Sequence, residues 1–253
     1  MTLPDFIIIG APKSGTTAMK SNFNKHHPSI WLGGRENNFF NMHWDKGLDW
    51  YTSQFPGKTR EGVLYGEKTP SYIYGLDAPN VEEGRRYCHE RMQAIVPDAK
   101  LILCLRNPAE RAYSHWHMES VNRKGYRLSF EEALALDLEH MKDPDYVRFT
   151  GDDFVQKGFY MDYIENLLNH YPREQLHVCI TEELKTDVVT EYNKIYAFLG
   201  LGVVDDSEYR VSSTPYKSKL DPAVHAQLDA IYQPYNQRLF EFLGRDVAAW
   251  ERA

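Results

Sequence analysis

Residues 6–17 read FIIIGAPKSGTT, an apolar strand that runs into a glycine-bounded loop and then into a helix-forming segment. A strand that turns directly into a helix points several backbone N–H groups at one spot, and the helix dipole adds partial positive charge there. Thr16 and Thr17 can add hydroxyl donors, and Lys13 adds a mobile charge. The segment predicts an α/β fold with an anion site after its first strand.

The loop differs from the phosphate loop of nucleotide triphosphatases, which has the form GxxxxGK[ST]. Gly10 and Gly15 have the right spacing, but Thr16 takes the place of the lysine, and Lys13 lies inside the loop. A triphosphatase also needs an acidic residue at a strand end to hold Mg²⁺. Here the strand LILCL ends in Arg106, which offers a fork to phosphate and repels a metal ion. The pattern predicts a nucleotide anion neutralised by side chains, with no metal required.

Strand and helix patterns alternate along the chain. The short apolar runs suit strands of a parallel sheet that is covered on both faces. The predicted strands are 5–10, 62–67, 100–106 and 175–180. The predicted helices are 14–27, 107–123, one behind a Ser129–Glu132 capping box, 159–171, and one from Asp221-Pro222 to about 243, disturbed near Pro234. This order predicts one domain over 1–253, an α/β three-layer P-loop-like fold with a central, predominantly parallel sheet flanked by helices.

Composition excludes several classes of function. The net charge of −7 disfavours a nucleic-acid partner, so an anion site must be a local concentration of Lys and Arg. The three cysteines lack metal-ligand spacing, and their expected role as buried free thiols fits a reducing compartment. No apolar run approaches the roughly 20 residues that span a bilayer. The N-terminus also lacks a signal-peptide pattern, so we expect a soluble, cytoplasmic protein.

The segment LRNPAERAYSHW, residues 105–116, follows the third predicted strand. Arg106 at the strand end and Ser114 in the following helix can face the same edge and share one phosphate. Arg111 can face that edge too, although a structural role, bracing the helix or pairing with a carboxylate, is favoured. His115, Trp116 and His117 fit either a pocket wall or a packed surface.

Three ordered motifs carry a resemblance to a known family. PKSGTT after the first strand, EKTPSY at 67–72 and LRNPAERAYSHW at 105–116 resemble the sulfotransferase superfamily, in its heparan-sulfate-type and bacterial branch. The resemblance extends to FLGL at 198–201 and more loosely through the last helix. It implies transfer of a sulfuryl group from 3′-phosphoadenosine 5′-phosphosulfate (PAPS) to an acceptor hydroxyl or, less favoured, an amine. The product nucleotide is then adenosine 3′,5′-bisphosphate (PAP).

The resemblance also implies nucleotide-binding residues at the matching positions. Arg106 and Ser114 correspond to the family's 3′-phosphate clamp. In relatives, a basic, glycine-containing run before the last helix closes over the nucleotide; here Lys217 and Lys219 occupy that region without the glycine. The 5′-phosphosulfate loop corresponds to Lys13, Ser14, Gly15, Thr16 and Thr17.

The stretch GGRENNFF, residues 33–40, resembles the segment that carries the family's catalytic base, and Glu36 takes that position. The chemistry needs such a group, because an attacking hydroxyl must lose its proton as the S–O bond forms. Several relatives have histidine where this chain has Asn38. That departure leaves open whether Glu36 acts alone or shares the role of base with a histidine, the candidates being His43, His115 and His117.

In YGEKTPSY, residues 65–72, Lys68 matches a family lysine that lies near the transferred sulfate, and Glu67 can orient it or contribute acid–base capacity. Lys13, Glu36 and Lys68 are therefore the candidate catalytic residues. The acceptor is expected to be a small metabolite or a saccharide. Two alternatives stay open: a P-loop nucleotide kinase or triphosphatase, and a non-catalytic nucleotide-binding protein. The sequence gives no indication of oligomeric state.

Overall fold

The computed structural model describes residues 1–76, 87–143, 153–205, 208–209 and 219–250. Five described strands form one sheet in the order β2-β3-β1-β4-β5, and all four pairings are parallel. The strands are β1 Phe6–Gly10, β2 Ile30–Leu32, β3 Leu64–Lys68, β4 Lys100–Leu105 and β5 Leu176–Ile180. The predicted α/β class with a parallel sheet is confirmed.

Helices cover both faces of this sheet. The described α-helices are α1 Thr16–His26, α2 Phe39–Met42, α3 Gly47–Thr52, α4 Cys88–Ile95, α5 Pro108–Asn122, α6 Phe130–His140, α7 Tyr160–Leu168, α8 Thr181–Thr186, α9 Val188–Leu199 and α10 Pro222–Leu243. The described 3₁₀ turns are Trp44–Lys46, Pro70–Tyr74, Gln156–Gly158, Arg173–Gln175 and Ala248–Trp250.

The helix ends follow from local sequence. Asn107 caps α5 by accepting hydrogen bonds from the amides of Ala109 and Glu110, and Pro108 takes the first helical position. The predicted capping box is present in α6, where the Ser129 amide donates to Glu132 at 2.8 Å and the Glu132 amide donates back to the Ser129 hydroxyl at 3.2 Å.

The predicted disturbance near Pro234 does not end α10, which runs unbroken to Leu243. An interior proline removes one helix hydrogen bond and clashes with the preceding turn. Tertiary packing outweighs that cost, because α10 packs on α5 and α7, and Tyr232 and Leu239 on either side of the proline are buried.

Alternate residues of β1 enter two different cores, as expected for a sheet covered on both faces. Ile7 and Ile9 pack in one cluster, and Phe6 and Ile8 pack in the other. The Phe6 ring of β1 lies over its paired residue Gly66 of β3, where an added Cβ would lie 2.2 Å from the ring, so this position requires glycine.

The parallel strands place the predicted site segments that follow β1, β3 and β4 at the carboxyl edge of the sheet. After β1 the chain goes to β2 and β3 on one side and to β4 and β5 on the other. Open α/β sheets bind ligands at such a switch point, outside the carboxyl ends of the strands. Among the described helices, none is both long enough and apolar enough to cross a membrane.

Candidate active site

The loop between β1 and α1 has a backbone suited to anions. Lys13 has φ 73° and Gly15 has φ 84°, both in the left-handed region, while Ser14 between them has a negative φ. Such alternation turns successive amide groups toward one side. The left-handed conformation is natural for glycine but costs roughly 1–2 kcal/mol for a residue with a Cβ. The fold therefore holds Lys13 in a strained conformation, as is common at functional sites.

The loop is fastened from behind by two neighbouring strands. The carbonyl oxygen of Ser14 accepts hydrogen bonds from the Cys104 thiol of β4 and from the Thr181 hydroxyl beyond β5, both at 2.8 Å. The Ala11 amide donates to the Cys104 carbonyl at 2.7 Å. Ser14 is fully buried, so it belongs to the support of the loop.

A cavity of about 600 Å³ opens in front of this loop, at the carboxyl edge of the sheet. It brings together most of the predicted site residues from distant parts of the chain. Its lining comprises Pro12, Lys13, Gly15, Thr16, Thr17, Glu36, Pro70, Ser71, Arg106, Ser114, Met118, Thr181 and Lys185. A larger groove of about 710 Å³ runs along α10, but Arg245 in its wall is already paired with Glu183 at 2.5 Å.

Arg106 and Ser114 both line this cavity. The Arg106 guanidinium lies 2.9 Å from the Glu110 carboxylate, one turn further along, and its side chain is only 13% exposed. The Tyr160 hydroxyl donates to the Arg106 carbonyl at 2.8 Å. The Tyr160 bond holds the backbone and the Glu110 contact holds the guanidinium of Arg106, which lines the cavity together with Ser114. Arginine so oriented can present its fork to a phosphate.

Glu36, which lines the cavity, forms a carboxylate–ammonium pair with Lys68, which is outside the described lining. Glu36 lies in the segment between β2 and α2, and Lys68 is the last residue of β3. Their charged groups are 2.6 Å apart, with the Glu36 side chain 44% exposed and the Lys68 side chain 8% exposed. The ammonium is therefore fixed in the protein, while the carboxylate reaches the cavity.

Glu67 has a different environment from its neighbour Lys68. It pairs in register with Ile7, on the face of the sheet that holds Tyr51 and Tyr72. It accepts hydrogen bonds from the hydroxyl of Tyr51 and, at 2.8 Å, from those of Tyr72 and Thr69. Burial raises the pKa of Glu67, and the hydroxyl donors partly offset that rise. This network makes Glu67 a structural anchor on the side of β3 opposite Lys68.

The same network holds the segment that follows Glu36. The Tyr72 hydroxyl, which donates to Glu67, accepts a hydrogen bond from the Phe39 amide at 2.8 Å. Asn38 adopts a left-handed conformation with φ 50°, and its side-chain oxygen accepts from the Ser71 hydroxyl at 3.3 Å. Asn38, the residue at which several relatives have histidine, thus occupies the N-cap position of α2 and is held there by Ser71.

The three candidate histidines differ in position. His115 is buried, and burial, together with Lys157, Arg111 and Lys13, lowers its pKa well below the usual value. An imidazole that resists protonation in this way is a poor proton acceptor. His43 contacts the ring of Trp50, and His117 contacts the ring of Trp116. Among the described residues lining the cavity, Glu36 is the one carboxylate and none is a histidine.

Other predicted residues lie elsewhere. Arg111 is completely buried and donates to the Phe154 carbonyl, in keeping with the structural role that the sequence analysis favoured for it. Lys219 is exposed before the Asp221 cap of α10, outside the described lining of the cavity. Lys217 lies outside the described residues. Roles for Lys217 and Lys219 at the nucleotide stay predictions.

Some cavity residues were not identified from sequence. Thr181 directly follows β5, a position after a strand end that was the available signal, and Lys185 lies one turn further along α8. Lys20, one turn beyond Thr16 and Thr17 on α1, donates to the Gly34 carbonyl. Within the described ranges, no group of three His, Cys, Asp or Glu residues could hold a metal ion.

Comparisons with known proteins agree with this geometry. A family model described as "Sulfotransferase domain" matches residues 3–219. Heparan sulfate glucosamine 3-O-sulfotransferase 6 of Mus musculus is 30% identical over 98% of this chain and 74% of its own length. Heparan sulfate glucosamine 3-O-sulfotransferase 3A1 of Mus musculus is also 30% identical, over 98% of this chain and 65% of its own length. The chain thus spans about two thirds to three quarters of these relatives.

Solved structures show the same architecture. A sulfotransferase from Alicyclobacillus acidocaldarius is 27% identical with a TM-score of 0.77, and the match covers 100% of both chains. The sulfotransferase domain from the curacin biosynthetic pathway is 15% identical with a TM-score of 0.52, over 98% of this chain and 100% of its own, a likeness of fold alone.

Proposed function

The chain belongs to the sulfotransferase family and is a PAPS-dependent sulfotransferase, and from this premise we propose that it sulfates a saccharide hydroxyl with Glu36 as the general base. The observation that carries the proposal is the single cavity where the loop 13–17, the Arg106–Ser114 pair and Glu36 meet. A kinase or triphosphatase is not favoured, because Thr16 replaces the expected lysine and β4 ends in Arg106.

The cavity fits a nucleotide with phosphates at both ends of its ribose. The loop amides, Lys13 and the hydroxyls of Thr16 and Thr17 would hold the 5′-phosphosulfate at the N-terminus of α1. Arg106, oriented by Glu110, would bind the 3′-phosphate together with Ser114. When bound, PAPS supplies the sulfuryl group, and PAP remains as the product nucleotide.

Glu36, Lys13 and Lys68 would handle the proton and the charge of the reaction. Glu36 accepts the proton of the acceptor hydroxyl as the acceptor oxygen forms its bond to sulfur. The bond between sulfur and the bridging phosphate oxygen breaks in line, and its electron pair stays on that oxygen. Lys13 and Lys68 stabilise the negative charge that develops there. Glu36 thus takes the proton, and Lys13 and Lys68 balance the charge on the leaving oxygen.

We propose a glucosamine-containing saccharide as the acceptor. Relatives that are 30% identical over almost the whole chain are named for 3-O-sulfation of heparan sulfate glucosamine. A hydroxyl nucleophile also matches a carboxylate base, because the proton must be removed during attack. A small hydroxylated metabolite is the competing acceptor, as the net charge of −7 does not by itself favour a long polyanion.

The acceptor test uses PAPS labelled in the sulfuryl group. The purified protein is incubated with heparan sulfate oligosaccharides and, separately, with hydroxylated lipids and aromatic metabolites. Label transfer to the oligosaccharides supports the proposal, whereas transfer only to small metabolites overturns the acceptor assignment. A thermal shift with PAP in the absence of magnesium tests the nucleotide site separately. Tight PAP binding with no label transfer to any acceptor would favour a non-catalytic binding protein.

The proposal also covers organisation and location. We propose one sulfotransferase domain over 1–253, which limited proteolysis would test by yielding one resistant core. A cytoplasmic location is favoured by the three cysteines, which are buried free thiols. Cell fractionation tests this location.

A further inference from the structure

Lys20 continues the cavity-facing side of α1 beyond the anion loop. Thr16 and Thr17 line the cavity, and residues three and four positions further along a helix lie on the same face. The Lys20 ammonium donates a hydrogen bond to the carbonyl oxygen of Gly34, two residues before Glu36. This contact joins the helix that begins at the anion loop to the segment that carries the base.

A second residue of α1 holds the same segment one turn further on. The Asn24 side chain makes two hydrogen bonds to the backbone of Leu32, accepting from its amide at 2.9 Å and donating to its carbonyl at 3.0 Å. Asn24 and Lys20 are four residues apart and therefore stack on one face of α1. Together they fasten the chain from the end of β2 to Gly34.

Backbone bonding also holds this segment, since the Gly33 amide donates to the Gly66 carbonyl at 3.2 Å, but packing does not confine the next residue, Gly34. An added Cβ at Gly34 would find no atom within 4 Å, so Gly34 is not confined by packing. Glycine also has more backbone freedom than any other residue. The contacts of Asn38 hold the far side of Glu36, and the Lys20 bond holds the near side.

Lys20 also lies within electrostatic range of the catalytic pair. Burial and the positive charge of Lys68 lower the pKa of Lys20, whereas the negative charge of Glu36 opposes that shift. Glu36 therefore interacts with two ammonium groups, one from β3 and one from α1. Lys20 is positioned both to hold the backbone and to add charge beside the carboxylate.

We propose that Lys20 is a positioning residue for sulfuryl transfer, which fixes Glu36 relative to the anion loop by holding Gly34. This inference rests on the proposed role of Glu36 as the base. Lys20 acts through Glu36 and lies outside the direct contacts assigned to the nucleotide. Its loss should therefore impair turnover and leave nucleotide binding intact.

The test compares substitutions that separate charge from hydrogen bonding. Lys20→Met removes both, Lys20→Gln keeps a donor without charge, and Lys20→Arg keeps both. Lys25→Met, on the same helix at an exposed pair with Glu208, is the matched control. Each variant is assayed for kcat and acceptor KM with labelled PAPS and heparan sulfate oligosaccharides, for PAP affinity by calorimetry, and for Tm.

We expect Lys20→Met to lower kcat about 10- to 100-fold, the scale of a displaced catalytic group, with PAP affinity and Tm unchanged. Lys20→Arg should restore most of the lost kcat, and Lys25→Met should resemble the parent. Lys20→Gln, which keeps a donor without the charge, should retain more kcat than Lys20→Met if the hydrogen bond to Gly34 is what positions Glu36.

Unchanged kcat in Lys20→Met would overturn the proposal. So would a loss of PAP affinity equal to the loss of kcat, which would place Lys20 at the nucleotide, or a loss of kcat that follows only a lower Tm. If the parent protein transfers no label to oligosaccharides, the acceptor assignment has failed. The same variants are then compared by transfer to 4-nitrophenol, and the same outcomes decide the role of Lys20.

Discussion

Two carboxylates flank the end of β3, and their surroundings differ sharply. Glu36 is 44% exposed and contacts an ammonium, whereas Glu67 is buried and accepts three hydroxyl hydrogen bonds. A general base must reach its substrate and be able to gain a proton. A buried carboxylate saturated with donors instead holds the parts around it. Under the proposed function, exposure and partners, more than residue type, separate the catalytic carboxylate Glu36 from the structural carboxylate Glu67.

The largest expected effect is a loss of turnover when Glu36 is replaced. Glu36→Gln should lower kcat about 10²- to 10⁴-fold, because a neutral amide cannot take up the proton that the saccharide hydroxyl loses. PAP affinity should stay at the parent value, as measured by calorimetry. Glu61→Gln, at an exposed position before β3, is the control. A Glu36→Gln variant that keeps normal turnover would remove Glu36 from the mechanism, and one that also loses PAP would make its role structural.

The next largest effect is expected at Lys13 of the anion loop, which lines the same cavity as Glu36. Lys13→Ala should lower kcat about 10²- to 10³-fold, the usual cost of losing one preorganised donor to developing charge. Steady-state kinetics with labelled PAPS measure it, and Lys58→Ala, at an exposed position, serves as control. Turnover close to that of the control would show that the loop amides and Lys68 suffice without Lys13.

The structural carboxylate should respond in stability. Glu67→Ala leaves the hydroxyls of Tyr51 and Tyr72 without their acceptor in the core, so we expect a loss of about 2–4 kcal/mol in the free energy of unfolding. Urea denaturation measures it. Because Tyr72 also binds the Phe39 amide, turnover should fall less than in Glu36→Gln. Normal stability combined with lost turnover would instead assign Glu67 to the chemistry.

The smallest effect concerns a third carboxylate, Asp137, which is buried with fewer donors. One of its oxygens accepts from the Val155 amide at 2.6 Å, and the other finds no donor among the described residues. Burial raises its pKa from 3.8 to about 6. The folded state therefore keeps a proton that the unfolded state releases, so stability should fall as pH rises from about 4 to about 6.

Asp137→Asn should flatten that pH dependence, since its amide oxygen can still accept from Val155 but does not ionise. Urea denaturation at several pH values between 4 and 7 compares it with the parent protein. An equal slope in both proteins would mean that Asp137 does not govern it. A flattened slope would show that the raised pKa of Asp137 is the source of that pH dependence.

The fold was predictable where the pattern is local. The apolar run before Gly10, the Asn107-Pro108 start of α5 and the α6 capping box each depend on a few adjacent residues, and the structure confirms them. The strand β2 was missed because three residues carry too little periodicity. The helix from Asp221-Pro222 to about residue 243 was predicted and is confirmed, and Pro234 lies inside it because tertiary packing outweighs a local helix breaker.

The site was predictable where a residue follows a strand end or a motif. Lys13, Arg106 and Glu36 were predicted in this way, and all three line one cavity, while their roles stay predictions. The role of Lys20 was not visible, because a lysine on a helix is usually solvated and its partner is a backbone carbonyl 14 residues away. The hydroxyl cage of Glu67 depends on Tyr51, whose approach only the folded chain defines.

The double fastening of Ser14 has a consequence for affinity. Because Cys104 of β4 and Thr181 at the start of α8 both hold the loop, the loop reaches its binding shape when the protein folds. A nucleotide that arrives then loses little affinity to ordering the backbone. A preorganised loop of this kind also changes little when one nucleotide is exchanged for another. The sheet that carries the site thus serves as a template, so that successive turnovers start from the same arrangement of amides.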